Sequence, residues 1–177
     1  MSNQLPFSVV RSVEILKQTP GTLIHMLAGL SPYWTASVGN TENWSPFDVL
    51  GHLIHGDETD WIPRAEIILA QGESTTFEPF DRVAQFERSR GKTLGDLLTE
   101  FAHIRNTNIE SMLRWQLTPE QIALEGFHPE LGKVTLAQLI ATWVIHDLDH
   151  IRQIANYLAA KYTDNVGPWR AYLSILR

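Results

Sequence analysis

Two histidines one helical turn apart are the residues whose type and spacing most directly indicate chemistry in this sequence. His146 and His150 are four positions apart, so on a helix their imidazoles lie on one face and can bind the same metal ion. At about 100° per residue, Leu139 and Trp143 fall on the same arc. The histidines therefore continue a stripe that faces the core, and we predict that they bind a divalent metal ion there.

The burial of two imidazoles supports this prediction, because each ring nitrogen needs a partner away from water. A metal ion takes one nitrogen from each ring, and the other nitrogen bonds to a carboxylate or carbonyl that fixes the tautomer. Asp147 and Asp149 flank the stripe and are the local acids for that role. The alternative is a pair of ordinary core or surface histidines, since this spacing also occurs by chance.

A third ligand must come from another element, because two histidines rarely complete a metal site. His52 and His55 lie on the second of four predicted helices, which packs near the fourth in a four-helix bundle. The residues alone leave these two as equal alternatives. His25 and His103 are typical of ordinary helix residues, and His128 lies in a loop where it is structural or lines a pocket mouth.

Other catalytic machinery has little support in the sequence. The chain has no cysteine, which excludes thiolate metal sites and cysteine nucleophiles. It also lacks a Gly-rich phosphate loop, a G-x-S-x-G elbow and an H-E-x-x-H motif. Asp149, His55 and Thr59 are within reach of the predicted site, but no motif selects one of them as a general base, so the catalytic residues stay unassigned.

Four predicted helices must position these residues. Helix starts are indicated by the caps at Ser45, Thr93 and Thr135, and Thr19 before Pro20 has the same pattern. We predict helices at about 7–30 (kinked or broken near Pro20), 46–71 (bent at Pro63), 94–116 and 136–161, with short helices after Thr118 and Pro168. No segment alternates with period two, so no strands are predicted. The link at 73–92 is long and polar, which is typical of a functional loop or of a crossover, and it lets the third helix run parallel to the second.

Length and composition are those of an ordinary globular protein. The 177 residues suit one domain over 1–177. A formal net charge of −6 without a local basic patch disfavours nucleic-acid binding. No apolar run reaches the roughly 18 residues of a membrane span, and the start lacks the pattern of a signal peptide. We therefore predict a cytoplasmic protein with neither nucleic-acid nor membrane partners.

Three segments resemble motifs of the DinB/YfiT-like superfamily. The segment NWSPFDVLGHL at 43–53 is similar to W-S-x-x-x-[VL]-x-x-H-[LI], at the start of the family's second helix. HPELGKVTLAQL at 128–139 resembles H-P-x-x-G-x-[VL]-T-x-x-[QE]-L, and HDLDHIRQI at 146–154 resembles H-D-x-x-H-x-x-Q-[IL]. Each motif alone is weak, but the three occur in order at compatible spacing over most of the chain.

The resemblance implies an all-α fold, a four-helix bundle with long crossover connections in up-down-down-up order. It also implies one divalent metal ion, commonly nickel or zinc, bound by three histidines. Carried over by motif, the ligands are His52, His146 and His150, so the resemblance selects His52 over His55.

The implied activity is that of a metal-dependent enzyme acting on a small molecule, as a hydrolase or a thiol-dependent S-transferase. Because the chain has no cysteine, a low-molecular-weight thiol would be a cosubstrate. Bundles of this type often form homodimers. Two hypotheses of other classes are kept: a non-catalytic metal- or small-ligand-binding domain of a stress response, and a helical interaction domain without metal.

Overall fold

The computed structural model describes residues 6–39 and 43–177, most of which are helical. The helices are α1 (Val9–Leu27), α2 (Pro32–Thr35), α3 (Pro46–Thr59), α4 (Trp61–Gln71), α5 (Ala84–Arg88), α6 (Leu94–Arg114), α7 (Pro119–Ile122) and α8 (Leu136–Ala160). The strands are β1 (Glu125–His128) and β2 (Gly132–Thr135), and short 3-10 helices span Gly72–Ser74, Gly167–Tyr172 and Ser174–Leu176. No helix in the two described ranges is long and apolar enough to cross a membrane. The domain predicted over 1–177 includes 1–5 and 40–42, which lie outside the described residues.

The long helices form a four-helix bundle with an apolar cluster at each end. One cluster joins the early parts of α1 and α8 to α4 and the late part of α6. The other joins the late parts of α1 and α8 to α3 and the early part of α6. Helices α1 and α8 therefore run in one direction, and the α3–α4 segment and α6 run in the other. This is the predicted up-down-down-up order, and the all-α bundle is confirmed.

The helix starts predicted at Ser45, Thr93 and Thr135 are confirmed, and each is a capping box. In each box the cap hydroxyl accepts from the backbone N–H three positions on, and an aspartate or glutamine there accepts from the cap N–H. Two otherwise unpaired N–H groups are satisfied at each start. The predicted short helix after Thr118 is α7, whereas the one after Pro168 is a 3-10 helix.

Helix α1 continues through Pro20, so the predicted break and the predicted cap at Thr19 are wrong. Proline cannot donate to the carbonyl four residues earlier, which is that of Leu16. That carbonyl accepts instead from the guanidinium Nη1 of Arg105, at 3.3 Å. The Thr19 hydroxyl donates to Asp147 Oδ2 at 2.7 Å. The proline is thus accommodated by a buried arginine from another helix.

The helix predicted over 46–71 is interrupted at Asp60 and not bent at Pro63. Asp60 has φ −112° and ψ −67°, and it separates α3 from α4. Pro63 cannot donate to the Thr59 carbonyl, but it is the third residue of α4, where no intrahelical donor is needed. The proline therefore sets a helix boundary three residues before itself.

The short antiparallel hairpin of β1 and β2 contradicts the prediction that the chain has no strands. Glu125 pairs with Thr135 and His128 pairs with Gly132. Strands of four residues are too short to show a period-two pattern in the sequence. The hairpin also holds the link that follows α4, because the Phe77 N–H donates to a β1 carbonyl at 3.0 Å.

Packing of the hairpin on α4 predicts that Gly126→Ala is destabilising. A Cβ at this position would lie 2.6 Å from Ile68 Cγ1 and 2.9 Å from Phe77 Cζ. We expect the free energy of unfolding in urea to fall by about 1–3 kcal/mol. Gly21→Ala is the control, because nothing lies within 4 Å of its Cβ position and alanine favours a helix. The packing would be contradicted if Gly126→Ala changed the free energy of unfolding no more than Gly21→Ala does, or if it raised that free energy.

Candidate metal centre

Three imidazoles converge where α3 packs against α8. His52 Nε2 lies 3.0 Å from His146 Nε2, which lies 3.1 Å from His150 Nε2. The capping box at Ser45 sets the register of α3 that buries His52, and the spacing on α8 places the other two on one face. Within the described residues, these three form a group of ring nitrogens, all within 4.8 Å of one another, that could hold a metal ion.

The donor set fits a cation better than it fits hydrogen bonding. A neutral imidazole nitrogen either donates one hydrogen or accepts through one lone pair. His146 Nε2 nevertheless has two nitrogen neighbours at hydrogen-bond distance, so it cannot satisfy both. A cation between the rings takes a lone pair from all three, and imidazole nitrogen is a preferred ligand of zinc and nickel.

Burial keeps the three imidazoles neutral. Together with the proximity of His150, it lowers the pKa of His52 to about 3 and that of His146 to about 2. Burial also lowers the pKa of His150. At neutral pH no proton therefore competes for the lone pairs that face one another.

The metal-free protein is expected to lose stability as the pH falls from about 7 to about 5. Histidines of the unfolded chain take up protons near pH 6.5, whereas His52 and His146 stay neutral in the folded state to far lower pH. Because folding lowers their pKa, each removes up to about 1.4 kcal/mol of stability per pH unit below that point. Urea unfolding in chelator at several pH values measures the slope.

The same pH series on His146→Ala is the control for this prediction. Burial raises the pKa of Asp57 to about 6, which favours the folded state at low pH in both proteins and opposes the histidines. The variant should therefore show a shallower loss than the wild type. Equal slopes would mean that His146 is not held neutral by the fold.

The outer contacts of the imidazoles differ from those expected. His150 Nδ1 lies 2.8 Å from Gln153 Oε1, an acceptor that fixes the proton on Nδ1 and leaves Nε2 free to bind metal. Asp147 is buried but points to Arg105, and exposed Asp149 binds Arg152 at 2.8 Å. Neither aspartate therefore takes the role that the sequence suggested for it, and the glutamine of the third motif takes it for His150.

The remaining sequence candidates lie outside the group of three ring nitrogens. His55 is buried, with its ring 4.9 Å from that of Phe80, and the exposed Thr59 hydroxyl donates to the His55 carbonyl. His25 and His103 are exposed. His128 is both structural and part of a pocket wall, because its ring accepts backbone hydrogen bonds and also lines a cavity.

A partly open cavity of about 570 Å³ adjoins the three histidines. Aromatic rings form much of its wall: the ring of Trp44 lies 4.8 Å from that of His52, the ring of Trp61 lies 5.1 Å from that of His146, and the ring of Phe80 lies 5.3 Å from that of His52. A cavity of this size and composition suits a small organic molecule.

The link after α4 and the β-hairpin complete the cavity. His128 lines it, while its Nδ1 accepts from the backbone N–H groups of Glu130 and Leu131 at 3.1 and 3.2 Å. Phe77 and Arg82 line it from the link. The long link predicted as a crossover is therefore also part of the candidate site.

A buried ion cluster behind the histidines was not predicted. Arg105 binds both oxygens of Asp57, through Nε at 2.7 Å and Nη2 at 3.0 Å, and both oxygens of Asp147. All three side chains are fully buried. The signal for it was present, because Arg105 lies in register with the apolar stripe of Phe101 and Ile109 on α6.

Asp60 and Arg64 also line the cavity and were missed. Their Oδ1 and Nε atoms lie 2.5 Å apart, one helical turn from each other, which is a spacing visible in the sequence. Asp60 is the carboxylate among the described cavity residues, and burial raises its pKa.

Comparisons with known proteins agree with this architecture. A sequence model of the DinB superfamily matches residues 15–154. The fold is similar to that of YfiT from Bacillus subtilis, with a TM-score of 0.73 and 20% sequence identity over 91% of this chain and 93% of that one. YfiT is described as a probable metal-dependent hydrolase with an unusual four-helix bundle topology. No curated protein matches the sequence at a significant level.

The two matches carry different weight. At 20% identity, the likeness to YfiT shows a shared fold. The family match extends from within α1 to within α8 and includes all three histidines that converge. The chain therefore belongs to the DinB superfamily.

Proposed function

We propose that this protein is a metal-dependent enzyme acting on a small molecule, with one divalent ion held by His52, His146 and His150. The observation that carries the proposal is that three ring nitrogens converge on the wall of an open cavity. When bound, the ion supplies Lewis-acid chemistry that lowers the pKa of a water molecule or of a thiol. Hydrolysis and thiol-dependent S-transfer both use this chemistry.

The ligand set supports an enzyme over a structural metal site. Structural zinc sites are closed by four protein ligands, whereas catalytic sites keep an open position. In the described part of the chain, the group has three protein ligands and includes no carboxylate or further histidine. All three histidines line the cavity, so a substrate bound there could reach an ion that they held.

The surrounding residues prepare the site for substrate. Gln153 fixes the tautomer of His150. Trp44, Trp61 and Phe80 present apolar surface beside the ligands, which displaces water from a bound substrate and strengthens electrostatic interactions there.

A substrate screen with and without thiol tests the proposed activity. Protein reconstituted with zinc or nickel is incubated with esters, amides and carbon electrophiles, with and without glutathione. We expect turnover that is lost in His146→Ala and retained in His25→Ala, whose imidazole is exposed. Turnover without thiol indicates a hydrolase, and turnover that requires thiol indicates an S-transferase.

Failure of this screen has a defined meaning when metal is bound. A protein that binds one ion per chain but turns over none of these classes would favour the second hypothesis, a non-catalytic metal- or small-ligand-binding domain. A protein that binds no ion would contradict both the metal-dependent enzyme and the non-catalytic metal-binding domain.

Nickel and zinc are the proposed metals, because imidazole suits both.

We also propose that the protein forms a homodimer. The exposed rings of Trp169 and Tyr172 supply apolar surface for such a contact. Light scattering after gel filtration measures its mass. The cytoplasmic location stays a prediction from the sequence.

A further inference from the structure

The cavity is cationic in a protein that is acidic as a whole. The chain carries a formal net charge of −6, yet the charged side chains that line the cavity are two arginines, Arg64 and Arg82, and one aspartate, Asp60. Without any metal ion, the charged side chains of the lining therefore carry one more positive charge than negative charge.

Arg64 already has partners within the cavity wall. Its Nε pairs with Asp60 at 2.5 Å, its Nη2 donates to the Glu78 carbonyl at 3.1 Å, and its guanidinium lies 5.3 Å from the centre of the Phe77 ring. Only 9% of its side chain is exposed. These contacts neutralise its charge and hold the link against α4.

Arg82 is the cavity cation without such a partner. Within the described residues no carboxylate lies within ion-pair distance of its guanidinium, although neighbouring Arg88 and Arg90 pair with Glu58 and Glu87. Its side chain lines the same cavity as that of His52. Asp81 beside it is committed to the backbone N–H groups of the next turn.

We infer that the cavity binds an aromatic oxyanion, a planar apolar body with a carboxylate, sulfonate or phosphate, and that Arg82 binds the anionic group. The rings of Trp44, Trp61 and Phe80 line the cavity and offer apolar contacts to the body, and guanidinium forms paired hydrogen bonds with such oxyanions. This inference rests on the proposed function, because it names the substrate class of the same cavity.

Two fluorescent probes that share one aromatic body test the inference. The first is 1-anilinonaphthalene-8-sulfonate, and the second is N-phenyl-1-naphthylamine, which has the same rings without the sulfonate. Titrations use the full chain in chelator, so that no metal charge contributes. We expect Arg82→Gln to weaken sulfonate binding about fivefold to tenfold and to leave the neutral probe unchanged. Arg82→Lys should weaken sulfonate binding less, because lysine keeps the positive charge but cannot form the paired hydrogen bonds of a guanidinium.

Two controls assign the effect to the cavity. Arg114→Gln removes an exposed arginine at the C-terminal end of α6 that does not line the cavity, and it should change neither probe. Phe80→Ala removes an aromatic wall and should weaken both. Raising the salt from about 0.02 M to about 0.5 M should weaken the sulfonate in the wild type more than in Arg82→Gln.

The inference fails if Arg82→Gln changes both probes alike or neither, or if Phe80→Ala changes neither. Because the titrations need no metal, their outcome is separate from that of the proposed function. If Arg82→Gln selectively weakens sulfonate binding in a protein that binds no metal, the inferred anion site is supported and the proposed metal-dependent enzyme is refuted.

Discussion

Replacing Arg105 with methionine is expected to lower the free energy of unfolding by about 3–5 kcal/mol. The guanidinium is fully buried and holds two buried carboxylates, Asp57 from α3 and Asp147 from α8. Its removal leaves both without a cation in a site that water does not reach. It also leaves the Leu16 carbonyl, already deprived of a donor by Pro20, without the guanidinium bond.

The conservative variant Arg105→Lys should also destabilise, because an ammonium group cannot form two-pronged bonds with two carboxylates at once. Rings support the planar group as well, with Phe101 and Trp143 at 4.7 and 5.0 Å from its central carbon. Urea unfolding of both variants measures the loss, with exposed Arg114→Met as the control. Losses of the same small size in all three variants would mean that the cluster does not hold the bundle together.

The second large effect is expected from metal itself. An ion that binds only the folded state stabilises it by about 4 kcal/mol at a free concentration 1,000 times its dissociation constant. Zinc or nickel should therefore raise the melting temperature of the wild type. The rise should disappear in His52→Ala, His146→Ala and His150→Ala, because each removes one of the three converging nitrogens.

Exposed histidines provide the matched controls for this shift. His25→Ala and His103→Ala remove imidazoles from the surface of α1 and α6, so the metal-induced rise should persist in both. A rise that persists in His146→Ala, or that is lost equally in the surface variants, would indicate nonspecific metal binding.

The ion cluster and the candidate metal centre share the same two helices. Asp57 lies five residues after His52 on α3, and Asp147 directly follows His146 on α8. By binding both carboxylates, Arg105 fixes the two helices that carry the histidines relative to each other. The charge buried in the core thus supports the geometry at the cavity wall.

Local signals in the sequence predicted much of this framework. Capping boxes located the starts of α3, α6 and α8 because a cap depends on residues three positions apart. The spacing of His146 and His150 predicted their common face for the same local reason. Choosing His52 over His55 required the family motif, since both lie on one helix and only the packing of α3 decides which faces α8.

Features that depend on distant partners were not predictable in this way. Continuation of α1 through Pro20 depends on Arg105, which is 85 positions later in the chain. The hairpin depends on how α4 and the link pack around the cavity. The roles of Arg82 and Asp60 became visible only once the link, α4 and α8 were placed around a common space.

The metal content of purified protein shows directly whether the three histidines hold an ion. Untagged wild type, His52→Ala, His146→Ala and the control His25→Ala are analysed by elemental mass spectrometry, as purified and after incubation with zinc and nickel. Circular dichroism confirms that each variant is folded. We expect about one ion per chain in the wild type and the control, and little in the two variants that lack one of the converging histidines. Wild-type protein that carries no ion, and binds none when zinc or nickel is added, would contradict the proposed metal site.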